Sequence, residues 1–103
     1  MAIANQSLSD TLSLPLFDTT GDRAVTAIYF YNSHTSTVKI DVHVVPFGST
    51  PGPANKILGS LAITSGDTYI IDSEKLILGD GDGIYCASDT PGVVIATTSY
   101  LSM

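Results

Sequence analysis

Residues 37–45 read TVKIDVHVV, and this stretch decides the fold class. Val38, Ile40, Val42 and Val44 fall on one side of an extended chain; Lys39, Asp41 and His43 fall on the other. Successive side chains of a strand point to opposite faces, so the pattern predicts a strand with one buried and one wetted face. The preceding run, Ala24 to Tyr31 (AVTAIYFY), is β-branched and aromatic, as strands prefer. The polar NSHTS between them has the length of a hairpin loop, so the two strands are expected to pair at the centre of the fold.

Outward from this pair, the chain is punctuated by turns. The run PFGSTPGPANK is expected to be a long loop from Pro46 to Asn55, because proline lacks the N–H a sheet ladder needs. KILGSLAI then reads as a strand with a bulge at Gly59. SGD turns the chain into the strand TYIID, and SEKLILG reads as a further short or edge strand. DGIYCAS and VVIATTSYL are strands separated by the turn DTPG. TLSLPLF, residues 11–17, alternates weakly, and Pro15 restricts it to a sheet edge. NKILGSL is the best helix candidate, but Gly59 weakens it. No segment sustains a 3.6-residue period. The expected fold is all-β: an antiparallel β-sandwich, jelly-roll or Ig-like, of seven or eight short strands. It forms a single domain over residues 11–103, with a polar N-terminal arm over residues 1–10.

Composition narrows the function classes. The chain has 103 residues, and only 14% are charged, against roughly 25% in ordinary domains. That deficit points to a surface covered by partners. The net charge is -6, and Arg23, Lys39, Lys56 and Lys75 are scattered. No basic patch can be built from them, so neither nucleic acid nor an anionic membrane is an expected partner. No apolar run approaches the ~20 residues of a membrane-spanning helix. The opening MAIANQSLSD lacks the charged and apolar regions of a signal peptide. The single cysteine, Cys86, excludes an intrachain disulfide.

The stretch 78–84, LGDGDGI, is the most conspicuous candidate for chemistry. A calcium loop starting at Asp80 finds Asp82 at its third position, then Ile84, Cys86 and Pro91 where further oxygen ligands belong. A phosphate loop needs a following Lys-Ser/Thr and a helix. The expected reading is a glycine-permitted turn whose aspartates accept backbone N–H groups. His34, His43 and Cys86 lack zinc-site spacing. Both histidines are expected in solvent, and Cys86 is expected as a small buried hydrophobe. A Cys–His nucleophile would lack an accompanying elbow or oxyanion motif. Asp72, Glu74, Asp80 and Asp82 read as solvated turn carboxylates, and the chain has no tryptophan to platform a sugar. Tyr29, Tyr31, Tyr69, Tyr85 and Tyr100 all lie in strands, as core or interface residues. No catalytic, cofactor-binding or metal-ligating residue is assigned, and the expectation is a non-enzymatic protein without cofactors.

From Ala24 onward the series resembles small β-sandwich virion proteins of tailed bacteriophages, including those of cyanobacteria and other aquatic bacteria. The stretches that carry the resemblance are TAIYFYN, VHVVPFG with its Pro-Gly loop, NKIL, GDTYIID, EKLILGDGDGIYC and the terminal ATTSYL. They are strands and turns without a catalytic motif. The resemblance implies a structural virion protein located on the capsid surface and made in the host cytoplasm. Its role would be that of a head-decoration or cement protein, partnered by the major capsid protein and forming a homotrimer. The alternatives are a small tail or baseplate module, or a carbohydrate- or receptor-binding sandwich. The arm and the Pro46–Asn55 loop are the segments expected to reach a neighbour.

Overall fold

The computed structural model describes residues 2–12, 15–17, 20–72 and 76–102. Among the described residues eight strands carry the fold: β1 (Ala2–Ser7), β2 (Arg23–Asn32), β3 (Val38–Val45), β4 (Lys56–Ile63), β5 (Thr68–Ile71), β6 (Leu76–Leu78), β7 (Gly83–Ser88) and β8 (Val94–Ser102). Among the described residues the helical part is one 3-10 turn, Pro53–Asn55. One sheet runs β1-β8-β2, with β5 and β6 both lining the far edge of β2; the other runs β4-β3-β7. Every pairing is antiparallel. The molecule is therefore the all-β sandwich that the alternating sequence predicts.

The topology follows from one further contact. Pro15 bridges to Tyr85, and the Leu16 N–H donates to the Ile84 carbonyl at 2.8 Å, so residues 15–16 run along the outer edge of β7. Proline fits there because an edge leaves its missing donor unmissed. Ser13 and Leu14 of the expected 11–17 strand lie outside the described residues. Residues 15–16 can be counted as a short strand, and β5 with β6 as one interrupted strand. The pairs are then nested: first with last, second with seventh, third with sixth, fourth with fifth. A nested antiparallel ribbon wrapped around one core is a jelly roll.

Two expectations are corrected. The strands β2 and β3 do not form a hairpin. β2 pairs with β8, β5 and β6, whereas β3 pairs with β4 and β7, so the Ser33–Thr37 loop arches from one sheet to the other. Both strands are apolar enough to be central, and each needs neighbours on both sides. Asn32 holds the arch. It is fully buried, its Nδ2 donates to the carbonyls of Ser36 (3.0 Å) and Ile63 (2.8 Å), and its Oδ1 accepts the His34 N–H (2.8 Å). Nor do residues 1–10 form a free arm. Ala2–Ser7 pairs with β8 over its whole length, from Ala2 opposite Tyr100 to Ser7 opposite Ile95. Leu8 is buried, its N–H donates to Val94, and Ser9 accepts from Ser88. The apolar Ala2, Ala4 and Leu8 alternate with Ile3 and polar residues, a strand pattern masked by its polar members.

The core lies between the sheets. Val25, Ile28 and Phe30 of β2, with Val94 and Ala96 of β8, meet Val38, Ile40 and Val42 of β3 and Ile84 and Cys86 of β7. Three register shifts bend the strands, one of them between Val42 and His43 along β4. The β2–β8 register shifts between Val25 and Ala27, where Thr26 donates its hydroxyl to the Ser99 carbonyl at 3.0 Å. The β3–β4 register shifts between Ile40 and Val42, at the expected Gly59 position. There Ser60 adopts φ 52, and its N–H is accepted by the Asp41 carboxylate at 2.7 Å.

Candidate functional site

The structure assigns local tasks to most residues that the sequence marks as reactive. At 79–82 the Asp82 N–H donates to the Gly79 carbonyl at 3.0 Å, closing a turn between β6 and β7. Asp82 accepts the Gly79 N–H (2.9 Å) and the Phe47 N–H (2.8 Å), and Asp80 accepts the Gly21 N–H (2.6 Å). Asp22 accepts the Asp80 N–H at 3.2 Å. These carboxylates join three loops at one end of the sandwich. Asp72 is exposed at the end of β5, and Glu74 lies outside the described residues.

Cys86 is buried in the core, and burial pushes its thiol pKa up, well away from thiolate chemistry. His43 is not in solvent, as its polar neighbours imply, but 2% exposed. It sits on the outer side of β3, where the 46–55 loop folds back over it and its Nδ1–H donates to Asn55 Oδ1 at 2.9 Å. Cys86 stands opposite Val42 in the β3–β7 register, and His43 opposite Tyr85. Adjacent positions on a strand face opposite ways, so the thiol and the imidazole occupy opposite faces of the sheet. His34 is half-buried in the β2–β3 arch, remote along the chain from both.

The two outer faces differ in charge. On the outside of the β4-β3-β7 sheet a depression of about 240 Å³ is lined by Asp10, Lys39, Asp41 and Asp89 among others. Its carboxylates serve the backbone: Asp89 accepts the Lys39 N–H at 3.2 Å, and Asp41 holds the Ser60 bulge and lies 3.9 Å from Lys56 Nζ. The outward-facing strand residues of the β1-β8-β2-β5/β6 sheet are uncharged, with the exposed Asp67 and Asp72 flanking β5 at the far edge. The registers arrange it in rows. Leu101, Ala24 and Ile77 form one row, and Ile3, Ser99 and Ala27 the next. Asn5, Thr97, Tyr29 and Ile70 follow, then Ser7, Ile95, Tyr31 and Thr68. Ile3 is 69% exposed and Ile77 64%, and Tyr29, Tyr31, Ile70 and Leu101 are also open to solvent. The one charged residue in these strands, Arg23, turns to the other side, over the stacked rings of Phe17 and Tyr100.

A free antiparallel sheet face is ordinarily polar, with its apolar residues turned inward. A contiguous uncharged face studded with isoleucine and tyrosine departs from that pattern. This face is the candidate functional site. Composition signals it only as a shortage of charge; the position of the shortage needs the strand registers. No family model matches this chain, and no curated protein or solved structure is significantly similar to it.

Proposed function

We propose that this protein is a structural, non-enzymatic virion component of the head-decoration type, which binds a capsid shell from outside and stabilises it. The observation that supports the reading, as a part of a multi-protein assembly, is the apolar, uncharged outer face of the β1-β8-β2-β5/β6 sheet. The strand and turn resemblance to phage virion sandwiches supplies the class of partner, the major capsid protein, and favours a homotrimer. Fold alone does not choose a function, since jelly rolls host many. The loop 46–55 is the segment suited to the shell footprint. It is held rigid by Asn55, which accepts the Gly52 N–H and donates to the Thr50 carbonyl. It presents Phe47, 77% exposed, on a backbone pinned by Asp82. A rigid exposed aromatic contributes binding energy at little ordering cost.

Such a clamp acts by mass action, because it binds the assembled shell and not separated subunits. At a free concentration 100 times Kd each occupied site gains about 2.7 kcal/mol. The test is to strip purified virions, add the protein back and measure the temperature at which shells release their contents. Restored heat resistance, with copies distributed over the head in immunogold labelling, supports the reading. Labelling confined to tails replaces it with a tail or baseplate module. Binding on a glycan array with no shell binding replaces it with a carbohydrate-recognition role.

A further inference from the structure

We infer that the uncharged outer face of the β1-β8-β2-β5/β6 sheet is the contact between copies of this chain. Charge points first to a second copy. With a net charge of -6, apposed copies repel wherever their carboxylates meet, and like charges in contact cost several kcal/mol. The described carboxylates Asp10, Asp41 and Asp89 lie on or beside the other sheet, and Asp22, Asp80 and Asp82 at one end of the sandwich. The rows of this face hold none; Asp67 and Asp72 flank β5 at its far edge, which an axis parallel to the strands sets over β1 of a second copy and not over another carboxylate.

The size of the face is compatible with such a contact. Four strand positions at ~4.8 Å and seven residues at ~3.3 Å project roughly 19 by 23 Å, or about 440 Å². The standing side chains add to that projection. A biological interface needs about 1,000 Å² in total, which is about 500 Å² per partner.

Shape gives the arrangement. The β2/β5/β6 half of the face is bulky, with Tyr29, Tyr31, Ile70 and Ile77. The β1/β8 half is smaller over the middle rows, with Asn5, Ser7, Thr97 and Ser99 beside Ile3 and Ile95, and Leu101 at its end. A rotation axis parallel to the strands keeps each row level and exchanges left for right. The bulky half of one copy then lies over the small half of the next, whether the axis is twofold or the threefold proposed above. Tyr29 comes over Thr97 of the second copy, and Ile70 over Asn5. The tyrosine rings bury apolar area, while their hydroxyls meet Asn, Ser and Thr partners. The inference stands whether or not the copies bind a shell.

The experiment is native mass spectrometry and light scattering on the full chain across a wide concentration range. Wild type is expected as a dimer or trimer. Tyr29→Lys or Thr97→Glu alone should raise the dissociation constant about 30-fold or more. Each should keep the wild-type circular dichroism, because both side chains point away from the core. Mixing the two variants should restore association, since the introduced ammonium of one copy then faces the introduced carboxylate of the other. Ala62→Lys, on the exposed part of the opposite sheet, should leave association unchanged. If Tyr29→Lys fails to fold, Thr97→Glu and Ser99→Arg read the same contact from the other half. A wild type that stays monomeric at millimolar concentration overturns the inference, as does an oligomer insensitive to all three face charges. A monomer that binds shells and loses binding on Tyr29→Lys assigns the face to the shell protein. That outcome would leave the decoration role intact while removing self-association.

Discussion

Asn32, at the end of β2 in one sheet, donates its side-chain amide to the carbonyl of Ile63, at the end of β4 in the other sheet, at 2.8 Å. Its backbone completes the tie, since Asn32 N–H donates to Asp67 and the Asn32 carbonyl accepts from Gly66. One buried residue thus pins the β2–β3 and β4–β5 arches together. Asn32→Leu would leave the Ile63 and Ser36 carbonyls and the His34 N–H without their partner. The expected loss is about 3 kcal/mol, read as a lower urea midpoint at unchanged slope.

The N-terminal strand makes a second prediction. Removing residues 1–10 takes away all of β1 and buried Leu8, and exposes the apolar β8 edge. The truncated chain is expected to melt far below the full chain or to aggregate, because a long open edge invites strand pairing. A free arm would leave the melting curve unmoved.

Strand β3 sets a sharp contrast between neighbours. Val42→Asp places an unpaired carboxylate in the core and should cost more than about 4 kcal/mol. Asp41→Asn keeps an oxygen to accept the Ser60 N–H and loses only a long, half-exposed ion pair to Lys56. It should cost within about 1 kcal/mol. Denaturant melts of the two variants check the register of the strand.

Gly81 combines a left-handed backbone, φ 89, with a Phe47 ring lying where a Cβ would stand. Gly92 has φ 81 in open space. Gly92→Ala should therefore cost only the backbone term, about 1 kcal/mol, and Gly81→Ala clearly more. In a Phe47→Ala background most of the excess should vanish, since the ring goes and only the Phe47 Cβ stays close, a coupling that a double-mutant cycle measures directly.

Thr98 is fully buried on β8, and its hydroxyl has no hydrogen-bond partner among the described residues. Thr98→Val keeps the shape and removes a dehydrated hydroxyl. It should raise stability by about 1 kcal/mol, visible as a higher Tm.

Local order was legible in the sequence. Alternation in Val38–Val42 named the buried side of β3, and Pro15 and Gly59 marked an edge and a bulge. The Gly-Asp run at 79–83 was readable as a turn, because glycine conformations and short-range hydrogen bonds are properties of neighbours along the chain. Tertiary structure alone decided the rest. Period two says which way a side chain points, not which strand lies alongside, so the β2–β3 hairpin could not be told from an arch. His43 has the polar neighbours of a wetted position, and only the return of the 46–55 loop dehydrates it. The candidate face shows the same limit. Its residues come from five strands spread from Ile3 to Leu101, each ordinary alone. Only pairing sets them side by side and shows that no described charge lies among them.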